Sequence, residues 1–226
     1  MSTLIVVAHP DDEALGAGAM AADLAARGES VRTCILSGDV GARAHRPALD
    51  RLRANMLSAH RVLGLPDPIV GDFPNIEFNT VPHLALVQFI EAAMVETGAT
   101  ALFTHPPRDL NNDHLHVSLA CQAAARLFQR RASVAPLQRL AFVETLSSTD
   151  WAFPDGSGGF QPNAFFEITE EALEKKIAAL EAYEGVMRPS PHPRRAEVIR
   201  ALASYRGGQA GVHYAEAYQV VFERLH

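Results

Sequence analysis

The feature that most limits how this chain can fold is an abrupt change of character between residues 3 and 20. Leu4, Ile5, Val6 and Val7 form an unbroken apolar run, as a strand buried on both faces requires. His9-Pro10-Asp11-Asp12-Glu13 follows at once, and the small residues Ala14 to Ala21 give the next segment helical character. Pro10 ends the strand, since it has no N–H for a ladder. An imidazole and three carboxylates thus stand at the carboxyl end of a buried strand, where open α/β sheets form their ligand crevices.

The rest of the chain alternates strand and helix. A helix is expected from Asp12 to Arg27 with Gly28 as its stop, a strand over Val31 to Leu36, a helix over Ala48 to Leu63 before Gly64, and a short strand over Pro68 to Val70. Thr80 reads as the cap of a helix from Val81 to Thr97, followed by a strand from Thr100 to Thr104. Asp113 reads as the cap of a helix over Leu115 to Arg130, ahead of a strand at Leu140 to Glu144. The Ser- and Gly-rich stretch Ser147 to Asn163 predicts an irregular lobe or hairpin. Strand Ala164 to Ile168, helices Glu170 to Tyr183 and Arg194 to Tyr205, and strand Ala217 to Phe222 complete the pattern. The expectation is an α/β fold, a Rossmann-like, mostly parallel sheet with helices on both faces, with residues 1–226 as a single domain bearing a small irregular C-terminal lobe.

Charge and cysteine usage narrow the function. The net charge of −6, from 26 acidic against 20 basic residues, argues against nucleic acid as a partner. Cys34 and Cys121 lie in apolar surroundings and read as reduced core thiols of a cytoplasmic protein. No basic leader precedes the first strand and no apolar run approaches the ~20 residues that span a bilayer, so neither a secretion signal nor a membrane anchor is expected.

A second polar cluster leaves the strand ending at Thr104: His105, Arg108, Asp109, Asn111, Asn112, Asp113, His114 and His116. His114 and His116 are two apart at a helix start, point in different directions, and would not bind one metal together. Catalytic zinc takes about three protein ligands and keeps a position open. The candidates are His9, Asp11, Asp12 and Glu13 at the first strand end and His114 or His116 at the later one. Neighbouring parallel strands present their carboxyl ends to one crevice, so the clusters can converge. A lone histidine is more often simply hydrogen-bonded, but two His/Asp clusters, each just past an apolar strand, favour a metal site. By loop position, Asp39, Arg43, Asn75, Arg108 and Asp109 are candidates for contacting a bound ligand.

The run Ala8-His9-Pro10-Asp11-Asp12-Glu13 with the later Asn112-Asp113-His114 resembles the PIG-L/LmbE family of zinc-dependent N-acetylglucosaminyl deacetylases. The resemblance implies one Zn(II) per chain held by His9, Asp12 and His114, with Asp11 as general base in hydrolysis of an N-acetyl group from a small-molecule amino sugar or its conjugate. It implies Arg53 as a substrate contact, with Arg51 and Arg43 as alternatives, and it allows a homo-oligomer. Asp113 would orient His114 or a neighbouring imidazole. The chain departs from the family at Asn111, where a histidine acid or electrostatic stabiliser is common. An amide can donate a hydrogen bond to an oxyanion but cannot deliver a proton. The acid is then His105, His116 or His192, or Asp11 acts as base and then as acid.

Two other functions compete. Gly16-Ala-Gly18-Ala-Met-Ala21 with Asp39 has the form of a dinucleotide-binding fingerprint of an oxidoreductase, although these glycines fall inside the predicted helix and not in the turn after the strand. A non-catalytic sugar-binding protein of the same fold is the other, and it is disfavoured because base and ligands are all in place.

Overall fold

A computed structural model of the chain describes residues 1–39, 41, 47–153, 156 and 158–225. Strands β1 (Ser2–Val7), β2 (Ser30–Ile35), β3 (Ile69–Val70), β4 (Ala101–Thr104), β5 (Arg139–Val143), β6 (Ala164–Glu167) and β7 (Ala215–Glu223) form one sheet in the order β3-β2-β1-β4-β5-β7-β6. The first five are mutually parallel, and β7 runs antiparallel to both β5 and β6. This is the mostly parallel α/β sheet that the alternation predicts.

The period of two along β1 divides the interior into two cores. Leu4, Val6 and Ala8 face a layer built on α3 (His83–Thr97) and α4 (Asn112–Ala124), where Leu86, Ile90, Val117 and Cys121 are buried. Ile5 and Val7 belong to the other core, built with α1 (Asp12–Ala26), α2 (Leu49–Leu63), α6 (Glu170–Ala182) and α7 (Ala196–Ala210), where Leu15, Met56, Ile177 and Ile199 are buried. Helices therefore cover both faces. A short helix, α5 (Leu127–Arg130), follows α4. Cys34 and Cys121 are free and buried, and no described helix is long and apolar enough to cross a membrane.

Several helix ends differ from the sequence expectation. Phe78–Thr80 forms a 3₁₀ turn, and α3 begins at His83 behind Pro82 instead of at Val81 behind a Thr80 cap. Pro82 is the cause: the residue before a proline is held out of the helical region, and Val81 is extended. Asn111, not Asp113, caps α4, its Oδ1 accepting from the Asp113 N–H at 2.9 Å. α7 continues past Tyr205 to Ala210 because Gly207 lets the helix pass the His213 carbonyl, which would lie 2.5 Å from an added Cβ.

Helix α1 is broken at Ala17 (φ −149°, ψ 18°), between two glycines. The backbone groups loosened there find partners in a buried ion pair. Lys176 Nζ donates to the Leu15 carbonyl at 2.7 Å and to Glu216 Oε1 at 2.7 Å, while Glu216 accepts from the Ala19 and Met20 N–H groups at 3.2 and 2.8 Å. A buried pair is tolerable when its remaining hydrogen-bonding capacity is filled as it is here. Gly16 and Gly18 lie in this contact, facing Val143 and Lys176, where a dinucleotide phosphate could not approach.

An added Cβ on Gly16 would lie 2.5 Å from Val143 Cγ2. Gly16→Ala should therefore destabilise the fold by roughly 1–3 kcal/mol, overpacking outweighing the helical preference of alanine. The urea midpoint of the purified variant measures this, and an unchanged or higher midpoint would refute the packing account.

Candidate metal centre

Chain order places the site. β1 lies between β2 and β4, so the direction of winding reverses there and a crevice opens at the carboxyl ends of β1 and β4. Val6 is in register with Thr104, which brings the residues after each strand side by side. The Ala8 N–H donates to His105 Nε2 at 3.0 Å, locking the two exits together.

Asp11, immediately before α1, takes a φ of 102°, a left-handed conformation that is costly for a residue with a side chain. Its N–H donates to Glu13 Oε2 at 3.1 Å, and Glu13 also accepts from the Tyr183 hydroxyl. Burial pushes the Glu13 carboxyl up to about 8, with the Tyr183 bond opposing and the charge of Asp11 adding to the rise. Three residues with side chains have positive φ among those described, Asp11, Ile76 and Ser147, and all three line one cavity of about 500 Å³. Backbone strain gathered at one cleft is a mark of a functional site.

On the floor of that cavity, His9, Asp12 and His114 each turn a ligand atom inward, the atoms lying within 4.8 Å of one another. Asp12 Oδ2 is 3.4 Å from His9 Nδ1 and 3.1 Å from His114 Nε2. The opposite nitrogen of each imidazole meets a carboxylate: His9 Nε2 is 2.9 Å from Asp113 Oδ2, and His114 Nδ1 is 3.2 Å from Asp109 Oδ1. With the outer nitrogens donating, the inner ones carry the lone pairs a metal needs. His114 Nε2 is buried without a hydrogen-bond partner. Such an orphaned nitrogen, facing a carboxylate and a second imidazole, fits a divalent cation and poorly suits any apolar use of the space.

The charges agree. Burial alone would raise the Asp12 carboxyl, but His114 and His9 outweigh it and hold it well below the usual carboxylate range. Burial would lower His114, but the carboxylates of Asp12 and Asp109 push it up to about 10. Asp109 is held low despite burial by His114 and Ser148. Asp113 is likewise held low despite burial by His9 and by the Phe78 and Ile76 N–H groups, which pins the 71–79 loop to the site.

Asp11, Asn75 and Asn111 line the cavity with the three metal candidates. Asn111 Oδ1 is used in capping α4, so the Nδ2 donor is what its amide can offer the cavity. His105, an acid candidate by sequence, does not reach it. It is fully buried, stacks on His114 with ring centroids 3.6 Å apart, and spends Nε2 as an acceptor; burial and the His114 charge push it down to about 3, so it is neutral and no proton donor. Asp113 orients His9, and the partner of His114 is Asp109, whose side chain is committed to Ser148, Thr149 and the Asn111 N–H and does not face the cavity as a sugar contact would. His116 is not among the residues that line the cavity. Arg53 sits on the exposed face of α2, Arg51 pairs with Glu184 at 3.2 Å, and Arg108 is exposed in a neighbouring groove with Phe153. None of these three arginines lines the cavity, and Arg43 lies outside the described residues. Arg194, which no sequence pattern singles out, does line it, with Nη1 3.2 Å from Asp11 Oδ2.

Residues 4–125 match the PIG-L family model, described as GlcNAc-PI de-N-acetylase. No curated protein matches by sequence. Among solved structures, the conserved protein TT1542 from Thermus thermophilus superposes with a TM-score of 0.79 at 26% identity, covering 100% of this chain and 97% of that one. The N,N'-diacetylchitobiose deacetylase from Pyrococcus horikoshii gives 0.76 at 16% identity, over 97% and 83%. GalB, the 4-carboxy-2-hydroxymuconate hydratase from Pseudomonas putida, gives 0.76 at 21%, over 100% and 98%.

Metal and proton compete for His114. A ligating imidazole must be neutral, whereas in the metal-free protein His114 keeps its proton up to about pH 10. Metal uptake at pH 7 should therefore release a proton, and apparent affinity should rise with pH over that range. Calorimetry in buffers of different ionisation heat reads the release, and its absence would remove His114 from the ligand set. In the same assay His114→Ala should lose most bound metal and His116→Ala should keep it.

Proposed function

The chain belongs to the PIG-L family of GlcNAc-PI de-N-acetylases, and from that premise we propose that it is a Zn(II)-dependent amide hydrolase that removes the N-acetyl group from an N-acetylglucosamine-type sugar or its conjugate. The observation that carries this reading is the pairing, in one cavity, of a buried His9–Asp12–His114 group with Asp11, a carboxylate outside that group. A volume of about 500 Å³ suits a small-molecule substrate. One Zn(II) per chain would be held by His9, Asp12 and His114. When bound, such an ion supplies Lewis-acid chemistry, polarising the acyl oxygen and making water more acidic.

The protein's own groups account for the proton transfers. Asp11 takes a proton from the water that attacks the acyl carbon, and gives it to the amine nitrogen as the C–N bond breaks, leaving acetate and a free amino sugar. The Asn111 amide donates to the developing oxyanion or to the substrate. Asn75, on the cavity wall, is placed to meet a sugar hydroxyl. His105, neutral and shut off from the cavity, takes no part. Asp113 and Asp109 keep His9 and His114 in the tautomers that ligation needs.

A panel of N-acetylated amino sugars and conjugates, with free amine measured after zinc loading, tests the reading. Release of amine from at least one is expected; because the same fold also carries a hydratase, turnover without amine would assign a different reaction. Asp11→Asn should keep zinc and fold while losing turnover by about 10²- to 10⁴-fold. Loss of zinc in that variant would make Asp11 a ligand. Asn111→Ala should cost about 3 kcal/mol of barrier at most, and His105→Gln should leave the alkaline limb of the pH profile where it is.

A further inference from the structure

We propose that Arg194 is the positioning residue of Asp11, an inference that rests on Asp11 acting as the base. Three consecutive buried carboxylates open α1, and each meets a different partner. Asp12 faces the imidazoles of His9 and His114, Glu13 accepts from the Tyr183 hydroxyl, and Asp11 Oδ2 meets Arg194 Nη1 at 3.2 Å. The Arg194 side chain is only 18% exposed and that of Asp11 1%, so the contact is sheltered from the solvent screening that makes surface pairs weak.

The arginine is itself held. Its Nε donates to Ser147 Oγ at 2.6 Å and lies 3.3 Å from the Leu146 carbonyl, both on the loop after β5. Its N–H donates to His192 Nδ1 at 3.0 Å, and its carbonyl accepts from the Arg188 N–H at 2.7 Å. Ser147 takes a φ of 65° in reaching this position, so strain is stored on both sides of the guanidinium, at Ser147 and at Asp11. Glu13 holds the backbone of Asp11 and Arg194 holds its carboxylate. A planar guanidinium fixed along one edge and bonded along another dictates an orientation that a lysine could not. Arg194 lies 183 residues from Asp11 in sequence and outside the stretch that matches the family model.

The test uses the full-length, zinc-loaded protein and the best substrate of the panel. Arg194→Ala should lower kcat by about 10²-fold, as misplacement of a catalytic group does, with KM changed less than about threefold and zinc retained. Added guanidinium should restore part of that rate. In the Asp11→Asn background the same replacement should cost nothing more, since a residue that acts through Asp11 has nothing left to position. A rise in KM with kcat intact would make Arg194 a substrate-binding residue and overturn the proposal, as would losses that multiply in the double variant. Ser147→Ala, which releases the arginine without removing it, should reproduce the kcat effect in weaker form. One arm is independent of activity: a crystal structure of Arg194→Ala should show the Asp11 carboxylate displaced. An unmoved carboxylate sinks the proposal even if the chain proves to be a deacetylase, and a displaced one sustains the positioning even if the panel releases no amine.

Discussion

The Asp12 carboxylate is the charge around which the site is assembled. Buried and ionised, it is tolerable only if its surroundings supply positive charge or donors. It accepts from the His9 N–H at 3.0 Å and has the ring nitrogens of His9 and His114 at 3.4 and 3.1 Å. Those imidazoles come from two strand exits, so compensating one charge requires β1 and β4 to be adjacent and in register. An ion that replaces the proton on His114 keeps that compensation while leaving the imidazole neutral. The charge balance of the folded chain and the candidate metal group are thus the same arrangement.

Strain is distributed to match. Asp11, Ile76 and Ser147 hold positive φ angles on three different loops around one cavity, and each is fastened to a polar partner: Glu13 takes the Asp11 N–H, Asp113 takes the Ile76 N–H at 2.6 Å, and Arg194 donates to Ser147 Oγ. Each strained turn costs about 1–3 kcal/mol and persists only where the surroundings hold it. Asp113 and Asp109 serve twice in this respect, since each orients an imidazole with one carboxylate and fastens a loop with the same group.

Much of this is legible in the sequence, and for a physical reason. A strand buried on both faces must be continuously apolar, so the positions where β1 and β4 end are marked by the first polar residues, and a parallel sheet puts those ends together. That logic reaches the two clusters that contain His9, Asp12 and His114 without coordinates, and the choice of those three within the clusters comes from the family resemblance. It fails for helix ends governed by competing local bonds, as when Asn111 takes the cap that Asp113 would have filled and Pro82 delays α3. It also fails for partners defined only by tertiary contact. Asp109 stands five residues before His114, a spacing with no periodic meaning, and Arg194 sits in a proline-rich loop resembling any other polar surface. Arg53 is implied by the family resemblance alone, and its side chain is exposed on α2. A basic residue's place along the chain says little about which loop will bend towards the cavity.

The division between legible and hidden parts follows the architecture. The metal candidates lie within residues 4–125, the part that matches the family model, but the turn that presents Asp11 is completed from beyond it. Tyr183 holds Glu13, Arg194 holds Asp11, and Lys176 with Glu216 fills the break in α1. Each contact joins the first helix to the C-terminal third, and each involves a group that would be buried and unsatisfied without its partner, a penalty of about 1–3 kcal/mol apiece and more where a charge is stranded. The helix that opens with three carboxylates and breaks at Ala17 is unsuited to stand alone. It becomes a stable floor for the cavity because α6 and β7 pack back against it, so the C-terminal third belongs to the site as fully as the residues that mark it in the sequence.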